Sequence, residues 1–104
     1  MRFWEKSEQG LKLKKEKKAV LFEIKKISKS EPLVFGSVAL GLAHELSDID
    51  IYLPEMHNQP DELEYTREKL EEILKYPVDL VSDLGTPESI RKNILYSAKS
   101  IKKM

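Results

Sequence analysis

Two aspartates separated by one residue, Asp48 and Asp50 in SDIDIYL, open the most apolar part of this chain, and ten residues separate Gly36-Ser37 from Asp48. In an extended strand the two carboxylates lie about 6.5 Å apart on one side, while Ile49 and Ile51 face the other. A third acid, Asp79, interrupts the apolar run VDLV. If the two segments pair, all three acids meet at one place. Crowded carboxylates repel strongly, and hard divalent cations relieve that repulsion, Mg²⁺ first. Two such ions about 4 Å apart can clamp the attacking and leaving oxygens of a phosphoryl displacement. Gly36 lets backbone approach a phosphate closely, and Ser37 adds a hydroxyl at the start of a short helix.

Each residue also has a plainer reading. Asp48 could cap a turn, Ser47 could be a turn residue, and Asp79 could be an edge-strand charge that discourages aggregation. Their joint occurrence with Gly36-Ser37 favours a shared metal site. His44 lies in the loop before Asp48 and reads as a solvated bystander. Tyr52 and Tyr65 read as packing residues.

The elements that must position these groups follow from periodicity. Residues 7–28 read as one amphipathic helix with Leu13, Val20, Ile24 and Ile27 on a common face, stopped by Glu31-Pro32. Leu33 to Phe35 is a short strand ended by Gly36. Ser37 to Leu40 forms a helical turn or two that Gly41 closes in left-handed geometry. Ile49 to Leu53 is a second strand, and a polar loop with His57 and Asn58 runs to Pro60. A helix then reaches Tyr76 through Leu63, Leu70, Ile73 and Leu74. Val78 to Ser82 is a third strand and Asp83 to Gly85 a turn. Thr86 as N-cap, Pro87 and Glu88 open a final helix through Ile90, Ile94, Ala98 and Ile101. The fold class expected is α/β (α+β): a small mixed sheet flanked by helices, in one domain over 1–104, with a helix in 1–30 and a catalytic core in 33–101.

With 104 residues, 40% hydrophobic and 35% charged, the chain suits a folded, well-solvated domain. Eighteen basic and eighteen acidic residues give no net charge, which argues against nucleic acid as the main partner. Lysines crowd the two ends of the chain and acids the stretch from Glu55 to Glu72. No cysteine and two histidines leave oxygen as the ligand type for any metal. No signal peptide or membrane span is visible, so a cytoplasmic location is expected. Trp4 and Phe3 fit either partner anchors or a packed aromatic pair. A homo-oligomer is compatible with the sequence.

Gly36-Ser37, Asp48-Ile49-Asp50 and the later strand carrying Asp79 resemble the minimal nucleotidyltransferases of the DNA polymerase beta superfamily, over residues 33–101. The resemblance implies two Mg²⁺ ions, a nucleoside triphosphate, usually ATP, and transfer of a nucleotide to a hydroxyl. It implies that Gly36 and Ser37, with Ser47, grip the triphosphate and that Asp48 and Asp50 bind both metals. Asp79 would complete one metal and favour deprotonation of the acceptor. Many minimal members are similar to antitoxins that adenylylate a tyrosine of a HEPN ribonuclease toxin, which implies such a partner protein. Relatives often carry arginines after Gly-Ser, as in GSRARG, where this chain has Val38 and Leu40. Triphosphate charge would then fall to metal, backbone N–H groups, or a cation such as Arg91 or Lys92. An inactive fold that silences its toxin by occlusion is the alternative.

Overall fold

β-branched and aromatic residues bounded by Pro32, Gly36, Pro54 and Pro77 make the central strands extended, and their alternation decides which side faces the core. The computed structural model describes residues 2–54, 60–82 and 86–104. A 3₁₀ turn (Phe3–Lys6) precedes α1 (Glu8–Lys15) and α2 (Lys17–Lys25). There follow β1 (Leu33–Phe35), α3 (Gly36–Leu40), β2 (Ile49–Leu53), α4 (Pro60–Leu74), β3 (Val78–Ser82), α5 (Glu88–Ser97) and β4 (Lys99–Ser100), with a last 3₁₀ turn at Ile101–Lys103. The sheet order is β3-β2-β1-β4. β1 runs antiparallel to both β2 and β4, whereas β2 and β3 are parallel, so the sheet is mixed as expected.

The core joins Leu13, Val20 and Ile24 of the N-terminal helices to Val34, Ile49, Ile51 and Leu53 of the sheet and Leu70 and Leu74 of α4. In β3, Val78 and Leu80 are buried and Asp79 is exposed. The β2 and β3 patterns therefore point their aspartates away from that core.

Four expectations need correction. The N-terminal helix is not continuous: Glu16 leaves helical geometry (φ −96°, ψ 14°) between α1 and α2. The hydrogen bonds Glu16 N–H to Lys12 O (2.9 Å) and Val20 N–H to Glu16 O (3.0 Å) still join the halves nearly end to end. The bend serves two packing partners, since α1 lies under the first 3₁₀ turn while α2 packs on α4. Secondly, α5 stops at Ser97 and Ala98 turns extended (φ −67°, ψ 142°). The open edge of β1 takes Lys99–Ser100 as a fourth strand, and Ile101 is buried at the start of the last 3₁₀ turn, its N–H bonded to Pro32 O (3.1 Å).

Thirdly, Thr86 does not cap α5: its hydroxyl donates to Ser82 O (2.6 Å), and Pro87 holds the cap position without a side-chain bond. Fourthly, α4 ends at Leu74, not Tyr76, because Lys75 takes a left-handed conformation (φ 63°) before Pro77. The expected loop residues His57 and Asn58 and the turn Asp83 to Gly85 lie outside the described residues. Among the described residues no helix is long and apolar enough to cross a membrane.

Candidate active site

β1 and β2 are antiparallel and β2 and β3 parallel, so the end of β1 and the starts of β2 and β3 lie at one end of the sheet. Phe35 is opposite Asp50, and Asp50 is opposite Asp79. Adjacent strands are about 4.8 Å apart, and register partners project to the same side, which places the Asp50 and Asp79 carboxylates as neighbours. Asp48 sits just before the first β2 residue and is exposed.

Asp50 is half-buried, and its carboxyl is pushed up to about 6, first by burial, then by Asp79, then by Asp48. The three acids therefore share one electrostatic environment. Among the described residues no lysine or arginine forms an ion pair with any of them. Their donor set is oxygen alone, the chemistry that suits a hard divalent cation. As placed they are not a ready-made cage: among the described residues no three His, Cys, Asp or Glu side chains converge closely enough to hold an ion.

Gly36 touches this group directly. Its φ is +68°, which favours glycine, and a Cβ there would overlap an Asp50 carboxylate oxygen and displace that side chain. Ser37 is the second residue of the short helix α3, which closes with Leu42 N–H on Ser37 O (2.8 Å) and Gly41 left-handed at φ 75°. Val38 is fully buried in the core, whereas Leu40 is exposed. The first position where relatives carry arginine is thus a packing position here.

Ser47 is a turn residue: its hydroxyl accepts the His44 N–H (3.0 Å), and its own N–H bonds His44 O (2.9 Å). His44 is exposed and its ring Nδ1 accepts the Leu46 N–H (3.2 Å), contacts that stay within the loop. Lys92 faces Glu88 at 3.9 Å. Trp4 is buried with Lys14 over its ring, while Phe3 is exposed under Lys6, so the two aromatics are not one packed pair. Tyr52 is buried as expected. Tyr65 instead projects from the outer face of α4, exposed beneath Lys69.

Two residues of the site escaped the sequence reading. Ser97, at the end of α5, accepts the Gly36 N–H at 3.4 Å, so that amide already has a partner. Nothing local marks a serine 61 residues away. Gln9 donates from Nε2 to His44 O (2.5 Å) and Ser47 O (3.3 Å). Its signal was legible: four residues before Leu13, it is a polar group on the inward stripe of α1.

A mixed sheet with two strand-borne aspartates beside a Gly-Ser bend defines the nucleotidyl-transfer class of fold. The family model of the nucleotidyltransferase domain matches residues 13–103, and the chain belongs to that family. A solved structure described as a minimal nucleotidyltransferase is 31% identical, with a TM-score of 0.71, covering 84% of this chain and 90% of the other. A toxin–antitoxin complex with AMP-PNP aligns at 23% identity and TM-score 0.71, over 85% of this chain and 71% of that one. A tri-AMPylated Shewanella oneidensis HEPN toxin in complex with its MNT antitoxin aligns at 22% and 0.64, over 89% and 71%. The last two share the fold. No curated protein matches the chain.

Proposed function

We propose that this chain is a Mg²⁺-dependent nucleotidyltransferase that moves AMP from ATP to a hydroxyl of a partner protein, a tyrosine of a HEPN-type ribonuclease toxin, in the cytoplasm. The observation that carries it is the Asp50–Asp79 register beside Gly36, with Asp50 uncompensated by any cation among the described residues. Asp48 and Asp50 would hold both metal ions and Asp79 one. Bound there, the ions would supply charge neutralisation of the triphosphate and of the departing pyrophosphate. Gly36 admits the phosphate chain against the backbone, Ser37 offers its hydroxyl, and Ser47 keeps its own hydrogen to donate. The acceptor oxygen forms a bond to the α-phosphorus, the bond to the β-phosphate bridging oxygen breaks, and the acceptor proton passes towards Asp79.

Leu40 at the end of α3, and Leu42 and Leu46 on the loop that leads to Asp48, are exposed, apolar positions suited to a protein surface. Adenylylation of a toxin is known from one of the neighbouring complexes, where the HEPN toxin is tri-AMPylated.

The second reading is an antitoxin that occludes its toxin without turnover. Burial of Val38 and the apolar Leu40, where relatives carry arginines, favour it. Incubation with a HEPN toxin, Mg²⁺ and labelled ATP, followed by intact-mass measurement of the toxin, separates the two. One or more AMP increments, absent with Asp48→Asn, support transfer. Inhibition of the toxin at unchanged mass would replace it with occlusion.

A further inference from the structure

We propose that Gln9, 39 residues before Asp48, is a positioning residue for the acid site, an inference that rests on the metal-site reading above. Gln9 is only 2% exposed, and a buried amide without partners is costly. Both of its bonds from Nε2 go to backbone carbonyls of one loop, those of His44 and Ser47.

That loop is otherwise tied mainly to itself. Ser47 N–H bonds His44 O, His44 N–H bonds Ser47 Oγ, and Leu46 N–H bonds His44 Nδ1. Gln9 fastens this self-bonded turn to α1. The next fixed point is Ile49, whose N–H bonds Pro77 O at 2.9 Å and starts the β2–β3 pairing. Asp48 therefore hangs between two anchors, Ser47 O held by Gln9 and Ile49 N–H held by Pro77. Remove the first, and Asp48 keeps its place on one side only.

The anchor itself is rigid. Gly10 N–H bonds Ser7 Oγ (3.1 Å), and Gly10 lies so close under the Trp4 carbonyl that any Cβ would collide with it. The start of α1 cannot slide without unpacking the first 3₁₀ turn. Gln9 thereby transmits a fixed N-terminal frame to the backbone immediately before the first aspartate of the pair.

The test uses the full chain stripped of metal and titrated with Mn²⁺ alone, followed by electron paramagnetic resonance. Gln9→Met keeps the length of the side chain and removes both donors. Its Mn²⁺ affinity is expected to fall on the order of tenfold, as for other residues that orient metal ligands. Amide exchange at Ser47 is expected to quicken in the same variant without metal. Ile101→Val, buried at the far end of the sheet, is the stability control and should leave Mn²⁺ affinity unchanged. Should Gln9→Met fold poorly by circular dichroism, Gln9→Leu repeats the measurement.

Asp50→Asn separates the two ways of failing. If Asp50→Asn abolishes Mn²⁺ binding while the Gln9 variants bind like the wild type, the Gln9 role is overturned and the metal site stands. Equal weakening in Ile101→Val would reduce Gln9 to a packing residue. If Asp50→Asn binds as well as wild type, the metal site falls and the role of Gln9 with it.

Discussion

The two ends of the central sheet carry opposite charge, and they are built differently. At one end, Asp50 and Asp79 are held at fixed register by backbone pairing, with Asp48 one residue before β2. At the other, Lys25, Lys29, Lys102 and Lys103, against the single acid Glu31, line a groove of about 710 Å³ together with Leu21 and Ile24. The lysines hang on long stems and can spread into water, so their proximity costs little. Carboxylates on neighbouring strands cannot move apart without breaking the ladder. A zero net charge conceals this segregation, and only the acid end is under an obligation to be neutralised.

Breaking the acid end should give the largest effect. Asp50→Asn is expected to lower AMP transfer by about a thousandfold or more, since the neutralisation lost amounts to several kcal/mol. Labelled-ATP assays with a HEPN toxin, the proposed acceptor, measure it; retention of more than a tenth of wild-type turnover would remove Asp50 from the mechanism. Val38→Arg, which introduces the residue of the relatives, should cost about 3–5 kcal/mol, because position 38 is fully buried in the apolar core. Urea unfolding reads this directly.

Gly36→Ala comes next. The left-handed backbone and the overlap with the Asp50 carboxylate together predict a loss of about 1–3 kcal/mol and a site whose acids are displaced. A thermal midpoint equal to wild type would show that the bend is less constrained than its φ indicates.

The pH profile sharpens the comparison. Folding raises the Asp50 carboxyl from 3.8 to about 6, so the folded state binds this proton more tightly than the unfolded chain. The associated stability is fully present below about pH 3.8 and is lost as pH rises to about 6. For a half-buried carboxylate screened by solvent the change is on the order of 1 kcal/mol. Thermal midpoints in chelator should therefore carry a downward component across that window, and Asp50→Asn should abolish that component.

The smallest effects belong to the exposed positions. Leu40→Arg should leave stability within about 0.5 kcal/mol and tighten ATP several-fold by adding a cation beside Ser37. Lys102→Glu with Lys103→Glu, at the basic end, should change transfer by less than about twofold. A large loss in that double variant would mean that the far end takes part in acceptor binding.

Much of this molecule could be read from its residues in order. Strand limits at Leu33–Phe35, Ile49–Leu53 and Val78–Ser82 followed from apolar alternation bounded by Gly and Pro. Gly41 closed α3 as expected, because few other residues tolerate its φ. The C-terminal stripe misled, since Ile94 and Ile101 are both buried but only the first from α5, Ile101 lying in the 3₁₀ turn that follows β4. A seven-residue spacing of apolar positions fits one helix; it also fits a helix followed by a short strand and a 3₁₀ turn.

What the sequence determined by itself was the chemistry available: oxygen ligands without thiolates, three aspartates on strand-forming segments, and a Gly-Ser bend ahead of them. Tertiary structure decided their company. It set Asp79 beside Asp50, pressed Gly36 against that carboxylate, gave the Gly36 amide to Ser97, and fastened the loop before Asp48 to Gln9. The physical reason is distance along the chain. Local rules act over a few residues through sterics and hydrogen bonding, whereas contacts separated by 30 to 60 residues exist only once burial of the core has fixed which elements meet.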